Sequence, residues 1–173
     1  MRHALTALAF ALPLPAVAQG PAIVGSMSGT LEGSEVSYVI MDGENADTSW
    51  QEMDEGIEVS LTAYPADSPM DDANVVTLTF VGDTATRTPE FLSGVMTLNR
   101  DGETLTATSE ALDLRLESME VSGDSLLLIG TCLGQLSAGD ESLTAASENA
   151  TTLSGSIQAT VIRSPEQDGS TDQ

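Results

Sequence analysis

The chain has 173 residues, of which 27 are acidic, five are arginine and none is lysine, so its net charge at pH 7 is −22. This length suits one domain with a self-sufficient core, and hydrophobic residues make up 40% of the chain, too many for a wholly disordered protein. So negative a surface repels phosphate backbones and anionic lipid. We therefore expect neither a nucleic-acid partner nor a function at a membrane surface.

The N-terminus has the pattern of a secretory signal peptide. Residues 1–3 include Arg2 and His3, residues 4–15 are apolar, and residues 16–18 (Ala-Val-Ala) are the small residues that a signal peptidase accepts. The apolar run is shorter than the about 20 residues of a membrane-spanning helix, so we expect no membrane insertion. We predict that residues 1–18 are removed and that the protein is periplasmic or secreted. An N-terminal helix of the fold is the less favoured alternative.

From Val24 onward, short runs of alternating apolar and polar residues predict β-strands separated by turns. The clearest run is Ile57–Tyr64, and Val76–Phe80 repeats its pattern. Residues 99–102 (Asn-Arg-Asp-Gly) predict a hairpin turn. The alternation therefore predicts an apolar face and a solvent-exposed face on each strand.

The second half continues with predicted strands over residues 112–117, 126–136 and 153–161. About nine short strands with no convincing helix predict an all-β fold, an antiparallel β-sandwich, with a small β-barrel as the alternative. We expect one domain over residues 19–163 and a disordered tail over 164–173, and residues 138–150 hold a loop or one helical turn. The expected core comprises Val36, Tyr38, Ile57, Val59, Leu61, Val76, Leu78, Phe80, Leu112, Leu114, Leu128, Leu136, Ile157 and Val161.

A glycine motif occurs twice, at residues 25–31 and 130–136, with glycine, a sulfur residue, glycine and leucine at alternate positions. Glycine at every fourth residue of a strand predicts sharp coiling or the close approach of another backbone. The second copy also has the G-x-C-x-G spacing of a nucleophile elbow, which requires a strand-to-helix turn. Its strand-like surroundings favour a buried, unreactive Cys132 instead.

The residue inventory excludes most common catalytic machinery. His3 is the only histidine and leaves with the signal peptide, and Cys132 is the only cysteine. Ser-His-Asp and Cys-His catalysis, the usual zinc sites, lysine chemistry and an intrachain disulfide are therefore excluded. We predict a non-enzymatic binding or interaction module with a strongly acidic surface. A carboxylate-dependent glycoside hydrolase is a less favoured alternative, as is a barrel that holds a small apolar ligand.

The densest group of oxygen ligands lies between residues 42 and 56. Asp42, Glu44 and Asp47 are candidate calcium ligands, because calcium binds carboxylate and carbonyl oxygens on flexible loops. A second acidic cluster, residues 67–74, could lie at the same end of the fold. A calcium-stabilised surface domain is thus the second hypothesis, and solvated loops are the alternative. We expect no other cofactor.

Two further features suggest a protein partner, and the negative charge suggests that its surface is basic. General solubility is the favoured alternative explanation of that charge. Trp50, the only tryptophan, is a candidate partner-binding residue, or else it plugs one end of the sandwich with Ser49 and Gln51 facing water. The charged stripe Asp113, Arg115 and Glu117 either protects a strand edge or marks an edge that captures an extended segment. Binding to a basic partner should weaken with salt.

Overall fold

The computed structural model describes residues 21–43, 46–69, 71, 73–138 and 150–164. The expected signal peptide, Glu44, residues 139–149 of the expected loop or helical turn, and the tail beyond Ser164 lie outside these residues. Within the described ranges, no helix is long and apolar enough to cross a membrane. The strands are β1 (Ala22–Leu31), β2 (Ser34–Asp42), β3 (Ser49–Met53), β4 (Gly56–Pro65), β5 (Val75–Asp83), β6 (Glu90–Arg100), β7 (Glu103–Thr108), β8 (Leu112–Ser122), β9 (Ser125–Ala138) and β10 (Thr151–Ile162).

The fold is all β and antiparallel, as the alternation predicts. Its pairings follow the order β10-β1-β2-β4-β5-β6-β7-β9-β8, with β3 on β4, and an additional β10–β9 pairing closes the path into a ring. Two contacts in this ring are short, because β2 and β4 share three residue pairs and β7 and β9 share two. The ring is thus two five-stranded halves, joined at two corners.

Apolar side chains from both halves meet in one core. In β4, Ile57, Val59, Leu61 and Ala63 are buried, and the same alternation holds along β5 and β9. Every residue of the predicted core is buried except Val36, which is half-buried and packs against the same cluster. Period-two patterning therefore located the core correctly.

One strand departs from the sequence prediction. Residues 49–53, taken as part of an acidic loop, form β3, which pairs with residues 56–60 of β4 through a tight turn. The strand has few apolar residues because only Trp50 enters the core, whereas Gln51, Glu52 and Met53 are exposed. Too little alternation was present in five residues for the pattern to be recognised.

Strand β8 pairs only with β9 within the described residues. Asp113, Arg115 and Glu117 are exposed along it, and the register shifts between Leu116 and Ser118. Charged side chains and bulges are devices that prevent a strand edge from pairing with other chains. The charged stripe therefore fits edge protection better than capture of a segment.

Candidate functional site

A cleft of about 460 Å³ opens where β2 and β4 separate. The two strands pair only from Tyr38 to Ile40, opposite residues 63–65, and beyond this contact the first half of β2 faces the β4–β5 connection across open space. This volume falls within the range of small-ligand pockets. We call it the end cleft; it is lined by Leu31, Glu35, Val36, Ser37, Tyr38, Pro65, Ala66, Asp67, Asn74 and Arg100.

The turn before β2 determines which backbone groups face the end cleft. Glu32 and Gly33 both have positive φ (51° and 79°), as a two-residue type I′ hairpin requires. The flanking pair Leu31–Ser34 is then hydrogen-bonded, so the backbone groups of Glu35 point away from β1, toward the cleft. Two residues further, the carbonyl of Ser37 faces the same way and accepts the Ala66 N–H at 2.9 Å.

The cation of the end cleft is already paired. Arg100 ends β6, and its Nη1 donates to Glu32 Oε2 at 3.0 Å, which joins the tips of the β1–β2 and β6–β7 hairpins. The hydrogen bond and the charge of Glu32 hold the pKa of Arg100 above its usual range. Because both side chains are largely exposed, the pair contributes little to stability. It does neutralise Arg100, the one arginine among the described residues that line the cleft.

Tyr38 forms the inner wall of the end cleft. The residue is 3% exposed and packs in the core, yet it lines the cleft beside Arg100. Burial raises the pKa of its phenol, and the charge of Arg100 partly offsets this. Among the described residues, no hydrogen-bond partner is found for its hydroxyl. A buried ring therefore presents a neutral donor and acceptor to whatever enters the cleft.

The candidate calcium ligands are not assembled into a site by the described residues. Asp42 ends β2 opposite Ala22, Asp47 is exposed beyond the bridge between Gly43 and Ala46, and Glu44 is outside the described ranges. In the part of the chain that the structure describes, no three His, Cys, Asp or Glu side chains could hold a metal ion together. The calcium hypothesis thus remains a prediction.

Asp67 of the second acidic cluster and Asp42 of the first lie near different ends of β2, so these two residues do not share one end of the fold. Ala66, which precedes Asp67, contacts Ser37 near the start of β2, whereas Asp42 lies at the end of that strand. Asp47 instead lines a separate polar recess of about 200 Å³ with Ser49, Glu58 and Ser60 among its neighbours. The topology separates Asp67 from Asp42 because β4 meets β2 near its middle and runs antiparallel to it.

Trp50 is a core residue at the opposite end of the fold from the end cleft. It is 1% exposed, its Nε1 donates to the carbonyl of Asp124 at 3.0 Å, and the Arg163 guanidinium lies 4.4 Å from its ring centroid. Ser49 is half-buried and Gln51 is exposed. The arrangement matches the structural alternative, and a partner-binding role for Trp50 would require Arg163 to leave the ring.

Cys132 lies in the middle of β9, so the strand-to-helix turn of a nucleophile elbow is absent there. The thiol is buried, and burial raises its pKa to about 11 from an ordinary value of 9.0. Thiolate is the nucleophilic form, so the folded protein presents almost none near neutral pH.

We therefore expect Cys132 to resist alkylation by iodoacetamide at pH 8 in the folded protein and to react fully in urea. Because the folded pKa is raised, the stability from the protonated thiol is complete below about pH 9 and is lost as pH rises toward 11. Mass spectrometry of the alkylated protein checks the first expectation. Rapid modification without denaturant would contradict the burial of Cys132.

The sequence matched no family model, no curated protein and no solved structure in comparisons with known proteins.

The end cleft was not predicted from the sequence. Tyr38 was expected in the core and Asp67 in an acidic loop, while Glu35 and Arg100 were not singled out. The available signal was the pair of hairpin turns, Glu32-Gly33 and Asp101-Gly102, that bring Glu32 to Arg100. Which strands separate at a corner depends on the pairing of β2 with β4, which one sequence does not specify.

Proposed function

We propose that this protein is a non-enzymatic binding module and that the end cleft is its binding site. The observation that carries the proposal is the opening between β2 and β4, where an apolar wall and convergent polar groups surround about 460 Å³ of space. Sites of this size with a few well-placed polar groups are typical of ligand binding.

The composition of the end cleft supports this assignment. Leu31, Val36 and Pro65 offer apolar surface, and the Tyr38 phenol and the Asn74 amide offer neutral hydrogen-bonding groups. Cys132 is buried and protonated, and the only histidine of the sequence is His3. These residues therefore favour non-covalent binding over catalysis through a covalent intermediate.

Filling the cleft tests the proposal. Ala66 is exposed and lines the end cleft, so Ala66→Trp should occupy its space without disturbing the core. Ala85→Trp, at an exposed position in the β5–β6 loop, is the matched control. We would titrate ¹⁵N-labelled protein with basic, acidic, neutral and apolar tripeptides and with simple sugars.

The expected result is a saturable set of amide shifts around the end cleft with at least one probe, abolished by Ala66→Trp and retained by Ala85→Trp. Shifts that Ala66→Trp leaves unchanged, or no saturable shift with any probe, would remove the end cleft as the binding site.

We also propose that the protein is exported, because residues 1–18 have the basic, apolar and small-residue order of a signal peptide. A mature chain that loses only Arg2 among its charged residues carries −23 instead of −22. N-terminal sequencing of the protein produced in its native host tests this, and an N-terminus at Met1 would contradict it.

A further inference from the structure

We propose that the end cleft receives an arginine or lysine carried by an extended segment of a partner protein, whose main chain pairs with β2 opposite Glu35. This inference rests on the proposed function and specifies its ligand. Two features of the described residues lead to it: the charge of the cleft and the free backbone edge of β2.

The charge of the end cleft favours a cationic ligand. Glu35 and Asp67 line it, and Arg100, the only cation among its described lining residues, is bonded to Glu32 at 3.0 Å. An anion would have to displace Glu32 and enter beside two carboxylates, in a protein whose net charge is −22. A cation meets complementary charge at both the local and the molecular scale, which also accelerates its approach.

The backbone of β2 favours a peptide over a free amine. Pairing with β4 begins at Tyr38, so Ser34, Glu35 and Val36 have no strand on this side within the described residues. The N–H and C=O of Glu35 point toward the cleft because the Leu31–Ser34 pair sets the alternation of hydrogen bonds. An added antiparallel strand can exchange both hydrogen bonds with Glu35, which is the mode called β-augmentation.

The same register places the basic side chain beside its counter-charge. Residues directly opposite each other on paired strands project to the same face, and opposite charges in such pairs attract. A basic residue opposite Glu35 thus has its cation next to the Glu35 carboxylate. Val36 and Tyr38 lie on the core-facing side of β2, so they face the residues that flank the basic one in the added strand.

The experiment compares four probes and two double variants at constant ionic strength. The probes are acetyl-Val-Arg-Val-amide, the same peptide with its arginine amide N-methylated, acetyl-Val-Glu-Val-amide and n-butylguanidinium. Glu35→Gln with Asp67→Asn removes the cleft carboxylates. Glu117→Gln with Glu120→Gln, at exposed positions on β8, changes net charge equally and serves as control. Affinity is measured by calorimetry, and the site by amide shifts.

The arginine peptide should bind at the end cleft and lose roughly tenfold in affinity with the cleft double variant, as expected for a charge-assisted hydrogen bond. The control double variant should bind as the native protein does. N-methylation and removal of the peptide backbone should each weaken binding by about tenfold or more, since each removes hydrogen bonds to Glu35.

Equal losses of affinity in the two double variants would mean that only the net charge of the protein matters, and would overturn the inference. Equal binding of the N-methylated peptide would exclude pairing with β2, and equal or tighter binding of n-butylguanidinium would make the ligand a free organic cation. Saturable binding of neutral or acidic tripeptides in the cleft, without basic ones, would overturn this inference and leave the proposed function standing.

Discussion

Replacing Trp50 by alanine should lower the free energy of unfolding by about 3–5 kcal/mol, the usual cost of removing a large buried aromatic side chain. The indole is 1% exposed, bonds to the carbonyl of Asp124 and lies under Arg163. Its loss leaves a cavity where β3 meets the end of β10. Urea unfolding followed by far-ultraviolet circular dichroism measures the effect, because the variant has no tryptophan fluorescence.

Trp50→Phe is the matched variant for this position. It keeps an aromatic ring in the core but removes the Nε1–H donor, which leaves the Asp124 carbonyl with the N–H of Arg163 as its partner at 2.7 Å. We expect a smaller loss, about 1–2 kcal/mol. A loss below about 1 kcal/mol for Trp50→Ala would contradict the burial of the ring in a cooperative core.

The second large effect is expected at Gly29, where a Cβ would overlap the carbonyl oxygen of Ser154 and the Cα of Gly155. These are backbone atoms of the neighbouring strand β10, so they cannot move without displacing it. We expect Gly29→Ala to cost about 3 kcal/mol, the upper part of the range for overpacking. The close approach also confirms the prediction from the repeated glycine motif.

Gly134→Ala provides the control from the other copy of that motif. There a Cβ would meet Met96 Sδ at 2.8 Å and Ala107 Cβ at 3.7 Å, and a flexible methionine side chain can move away. We expect this variant to lose about 1 kcal/mol or less in the same urea experiment. Equal losses at the two glycines would mean that contact with the β10 backbone is not what requires Gly29.

The fold was predictable to the level of strands and core because each strand has one buried face. Leu61, Leu78 and Leu128 could be assigned to the core from spacing alone, since period two holds throughout a half-buried sheet. β3 was missed because it buries only Trp50. The short pairings of β2 with β4 and of β7 with β9 could not be predicted from the alternation either. Which strands pair depends on contacts between residues that are distant in the sequence.

The candidate site was less predictable than the fold. The acidic residues between 42 and 56 were predicted as a site because they are close together in the sequence. The end cleft is instead formed by side chains from four separate places in the sequence. Glu35 belongs to the proposed site because it lies on the part of β2 that does not pair with β4. That position is known only from the strand pairing of the structure. The net charge of −22 predicts a basic partner, and the proposed site has two carboxylates, Glu35 and Asp67, in its wall.

Intermolecular nuclear Overhauser effects can show whether the end cleft binds a basic side chain. With the arginine tripeptide bound to the native protein, we expect contacts from the arginine methylenes to the side chain of Glu35 and from a flanking valine to Val36, both in the wall of the end cleft. Contacts confined to exposed apolar residues elsewhere, such as Leu92 or Leu133, would contradict binding in the end cleft.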